Sequence, residues 1–151
     1  MNGAWLHLAV VHLIPWFCLL AGALALCERW QNSETLFRIA AGFGLLAALA
    51  AAAAYFSGPE ADGVLRGLAL DDPQAHKLVE DHALWGRGLF ILLGVMGGFS
   101  LMCLLQYLQE ERPALWQRRL LAASYLAVVP LLAWTSHMGG LIRHTEIRGF
   151  F

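Results

Sequence analysis

"IAAGFGLLAALAAAAAYFSG", residues 39–58, holds no charged side chain. A helix of ~20 residues spans the ~30 Å hydrocarbon core of a bilayer. Backbone groups find no water there and must pair within the segment, so this stretch reads as a membrane-crossing helix. Three more stretches of the same kind surround it, at about 5–26, 84–108 and 118–142. Residues 1–27 carry no Asp, Glu, Lys or Arg, and neither do residues 88–108. The expected fold class is all-α: an integral membrane four-helix bundle, formed as a single domain over 1–151.

Composition agrees. The chain is 59% hydrophobic and 14% charged, where a soluble domain carries ~25% charge. A net charge of −1 gives no basic surface for nucleic acid. Cys18, Cys27 and Cys103 form no CxxC pair and lie in or beside apolar runs, so they read as small packing residues. There is no HExxH, nucleophile elbow or phosphate loop, which argues against hydrolase and nucleotide chemistry. The first apolar run has no basic flank before it and reads as a retained span rather than a signal peptide.

Four crossings put both termini on one side. The short connections "CERWQNSETLFR" and "QEERPALWQRR" on the other side concentrate Arg29, Arg38, Arg112, Arg118 and Arg119. Positive charge in short loops favours the cytoplasm, so the termini and a longer loop at 59–81 are expected to be periplasmic. Asp72 before Pro73 reads as an N-cap with proline at the first helical position, so the third helix is expected to run from near Pro73 to Leu108. Pro15 and Pro130 should kink the helices that contain them. Gly94 and Gly98 form a GxxxG that would let helices approach closely.

All six histidines (His7, His12, His76, His82, His137 and His144) map to the terminal side. At ~1.5 Å per residue, His12 and His137 come to similar depths, with His82 and His144 shallower. His137 and His144 stand seven apart in "TSHMGGLIRH", on one helical face with Gly140 between them. A flat macrocycle needs a helix without side chains at its contact, which Gly139 and Gly140 would supply. The two glycines also fit an ordinary helix C-terminus. Gly86 lies one turn from His82, and Arg87 beside it, like Arg143, would suit a propionate. Neutral imidazoles on facing helices are axial ligands for haem iron. The site expected from these residues is one haem b, or two, with His12 and His137 as the leading ligands and His82 and His144 as further candidates. His7 and His76 read instead as interfacial histidines hydrogen-bonded to backbone. Two alternatives stay open: a copper or quinone site built from the same imidazoles, and a cofactor-free accessory subunit whose GxxxG and Ala-rich faces pack against a larger complex.

"LHLAVVHLIPWF", "DHALWGR" and "SHMGGLIRHTE" together resemble a family of bacterial four-helix membrane domains of unassigned function. Its members open with a pattern like LHPxxVHFPIAL, carry a histidine at the start of the third helix and close with GHxGGxLVYxHG. His7, His12, His82, His137, Gly139, Gly140 and His144 match; Leu8 stands where the family has proline and Thr145 where it has the last glycine. Some members are fused to c-type cytochrome modules in planctomycetes. The resemblance therefore implies electron transfer in a bacterial inner membrane, as a subunit rather than a self-standing enzyme. The expected partners are other membrane subunits and a quinol or a periplasmic c-type cytochrome.

Overall fold

A computed structural model describes residues 2–67, 73–144 and 148. These residues form helices and no strand. The helices are α1 (Gly3–Val11), α2 (Leu13–Gln31), α3 (Glu34–Gly67), α4 (Pro73–Leu108) and α5 (Leu115–Arg143). α1 and α2 make one arm, interrupted at His12. Pro15 explains the interruption: it has no N–H to give the Val11 carbonyl one turn earlier. Pro130 sits inside α5 without breaking it.

Among the described residues, four helices are long and apolar enough to cross a membrane: Gly3–Gln31, Glu34–Leu65, Pro73–Leu108 and Leu115–Ile142. Their outward surfaces are apolar as well. Trp16, Leu49, Ile91 and Val95 are all exposed, a surface that suits lipid and not water. The third helix begins at Pro73 as its sequence indicates; the Asp72 cap lies outside the described residues.

The long loop expected at 59–81 is not what forms. α3 continues through Pro59 to Gly67. Two contacts with α1 offset the cost of an internal proline. Glu60 accepts a hydrogen bond from the Gly3 backbone N–H, one of the donors that a helix start leaves unpaired. His7 bonds to α3 just before the proline.

α3 packs against α2 on one side and α4 on the other, while α5 closes the ring between α4 and α2. α1 leans on α3. The GxxxG expectation is corrected in register. Gly94 and Gly98 face outward, and a Cβ on either would meet nothing within 4 Å. Gly97 is the glycine at the interface: its Cβ would stand 2.3 Å from that of Ala48. Gly44 likewise makes room for the Tyr125 ring and the Ser100 hydroxyl, both buried. Ser100 Oγ donates to the Met96 carbonyl at 3.0 Å, so its one hydrogen is spent and Tyr125 OH is the donor across the 3.0 Å contact between them.

One end of the bundle is tied by charge. Glu28, 2% exposed, receives both Arg118 and Arg112. Arg112 also reaches Asn32 at 2.8 Å and Glu34 at 3.5 Å, joining the α2–α3 turn to the α4–α5 turn. Asn32 takes the left-handed conformation that ends α2 (φ 48°).

Three substitutions test this packing. Gly97→Ala is expected to cost about 1–3 kcal/mol by forcing α3 and α4 apart, seen as a lower thermal midpoint by circular dichroism in detergent. Gly98→Ala should leave that midpoint unchanged or raise it. Glu28→Ala, which strips two arginines of their buried counter-ion, is expected to cost about 3 kcal/mol by the same measurement.

Candidate functional site

The opposite end of the bundle is held by imidazoles. His7, on α1, places Nδ1 2.8 Å from the carbonyl oxygen of Ala54 on α3. His82, on α4, places Nδ1 3.0 Å from the carbonyl oxygen of Thr135 on α5. A carbonyl can only accept, so in both rings Nδ1 carries the hydrogen. In a neutral ring this leaves the Nε2 lone pair as the remaining acceptor. A helical carbonyl has two lone pairs, so each can take the imidazole beside its own helical bond.

Both contacts share a further feature. The residue four positions after each acceptor is glycine: Gly58 follows Ala54 and Gly139 follows Thr135. In an α-helix that residue sits over the carbonyl. A Cβ on Gly139 would approach His82 Cε1 to 3.2 Å, and one on Gly58 would lie 3.9 Å from His7 Cε1. The space left by Gly139 is thus filled by the His82 ring of the same chain, where the sequence suggested a macrocycle. The helices that carry the two rings, α1 and α4, both pack against α3.

The other site residues named from sequence are distributed around this pair. His12 is exposed at the junction of α1 and α2. His137 is half-buried, its ring centroid 6.1 Å from that of Trp134. His144 ends α5 with an exposed side chain, and its backbone N–H donates to the Gly140 carbonyl at 3.0 Å. Cβ atoms on Gly86 and Gly140 would meet nothing within 4 Å. Arg87 is exposed, as is His76 near the start of α4. The Arg143 side chain lies outside what is described.

His7 is the residue that sequence reasoning passed over as a site member. It does bond to backbone, the role assigned to it, yet the fold also gives it the same anchoring as His82. A signal was present: each helical hairpin has a histidine early in its first helix and a glycine late in its second. Which carbonyls would accept could not be read, because backbone oxygens carry no sequence label.

Among the described residues, no three of His, Cys, Asp and Glu come together as a metal-ion site; the arrangement is a two-imidazole one. A cleft of about 220 Å³ at the charged end is lined by Glu34, Arg38, Tyr107, Glu110, Glu111 and Arg112, none of them among the expected cofactor-site residues. The chain matches no protein-family model, no curated protein and no solved structure.

The tautomers can be checked directly. Nitrogen-15 NMR of histidine-labelled protein in micelles, at a pH where the rings are neutral, should show His7 and His82 protonated at Nδ1 and bare at Nε2. Signals from the reverse tautomer would contradict the geometry.

Proposed function

We propose that the chain is a membrane-embedded b-type haem protein that transfers electrons at the histidine-bearing end of the bundle. It would do so in a bacterial inner membrane, with that end and both termini facing the periplasm, as a subunit or partner of a quinol and cytochrome c respiratory chain. The observation that carries this reading is the donor set: two imidazoles from different helical hairpins, each with Nδ1–H spent on a backbone carbonyl and Nε2 left to act as a ligand.

The donor chemistry fits the group. A metal-binding histidine characteristically donates its other ring hydrogen to a carbonyl, which fixes the ring and raises its basicity. Two histidines of this end would hold the iron. A bound iron porphyrin would supply a one-electron couple. The chain's own contribution is to orient the imidazoles and to surround them with apolar helices that lower the local polarity and limit water. Gly86 and Gly140, beside which space is open, leave room next to the ligating helices. Exposed Arg87 is available to a propionate; Arg143 is a second candidate by sequence position.

The outward register of Gly94 and Gly98 favours a second reading, a cofactor-free accessory subunit. A smooth small-residue face on α4 lets another membrane helix approach closely.

A reduced-minus-oxidised spectrum of protein purified after expression with ample haem separates the two readings. The haem reading expects the sharp visible bands of a six-coordinate b-type centre at no less than half a haem per chain. Protein that is folded and helical but colourless would overturn it and leave the accessory role.

A further inference from the structure

Resting on the haem reading, we infer that the iron's axial pair is His7 and His82, with Gly139 as a positioning residue for His82. Sequence position alone favours His12 and His137. Three observations favour the other pair.

The first is orientation. His7 and His82 are each anchored through Nδ1 to a carbonyl of a neighbouring helix, at 2.8 Å and 3.0 Å. Neither ring nitrogen Nε2 has a hydrogen-bond partner among the described residues. An imidazole so held pays its ordering cost before the iron arrives and presents the ligating nitrogen in the correct tautomer. His12 instead is exposed where the first arm is interrupted.

The second is correspondence between the halves of the bundle. α1 and α3 are joined by the same device as α4 and α5: imidazole, helical carbonyl, and glycine four residues on. Each hairpin would thus supply one anchored ring to hold the iron. The third is placement, since α1, which carries His7, and α4, which carries His82, both pack against α3.

Gly139 acts through His82. A methyl group there would press on His82 Cε1 at 3.2 Å, and because Thr135 O lies on the same helix, the ring could not retreat and keep its hydrogen bond. The ligand would lose basicity or tilt. Either change alters the iron's electronic structure without removing the ligand.

The test uses whole protein in detergent, expressed with ample haem, together with apo-protein titrated with haemin. His7→Ala and His82→Ala are each expected to lose the low-spin bis-imidazole spectrum and at least tenfold in haem affinity. His12→Ala and His137→Ala should keep both. Circular dichroism of each variant reports helicity. Should an alanine variant fail to fold, His82→Met, which retains an axial ligand, is expected to bind haem with a raised midpoint potential. His82→Gly should regain the low-spin spectrum when imidazole is added. Gly139→Ala is expected to keep its haem with shifted electron-paramagnetic g-values. Low-spin haem that survives in the His7 and His82 variants but is lost in those at His12 and His137 overturns the pairing and leaves the haem reading intact. Wild-type protein that takes up no haem overturns both.

Discussion

The distance between α3 and α4 governs the rest of the bundle. α1 leans on α3 and carries His7; α4 carries His82. How near those rings come therefore depends on how closely the two long helices pack. Gly97 against Ala48, and Gly44 beneath Tyr125 and Ser100, allow that close approach. In an apolar solvent there is little hydrophobic drive to join helices, so close backbone packing and polar contacts must hold them. The small residues supply the first. The Tyr125–Ser100 hydrogen bond in the middle supplies part of the second.

The two ends are fastened by different chemistry. At one, Glu28 gathers Arg112 and Arg118 and ties two interhelical turns together. Water and headgroups are near such an end, and full charges are tolerated there. At the other, imidazoles reach across to helical carbonyls. A ring that donates one hydrogen and keeps one lone pair can fasten helices and bind a ligand at once. An arginine, with donors only, can do the first but cannot ligate a metal.

Four membrane-length helices, the start of the third at Pro73 and the interruption caused by Pro15 were all legible in the sequence. Each follows from a local rule: an uncharged run long enough to span, or a missing N–H. The second helix was underestimated because Pro59 looked like its end. Its continuation rests on Glu60 and Ala54 meeting α1, residues more than forty positions away. The GxxxG of α4 was a true motif on the outer face, while the neighbouring Gly97 made the contact.

The candidate site divides in the same way. Residue types and their order along the chain determined that this protein is helical, apolar enough to cross a membrane four times, and richest in histidine near one end. These are consequences of composition and of spacing along one helix. Only the tertiary structure decided that His7 meets Ala54, that His82 meets Thr135 and that Gly139 yields its space to a ring from another helix. Those outcomes depend on helix rotation and interaxial distance, which are set by packing between segments far apart in sequence, and on carbonyl oxygens that every residue possesses alike.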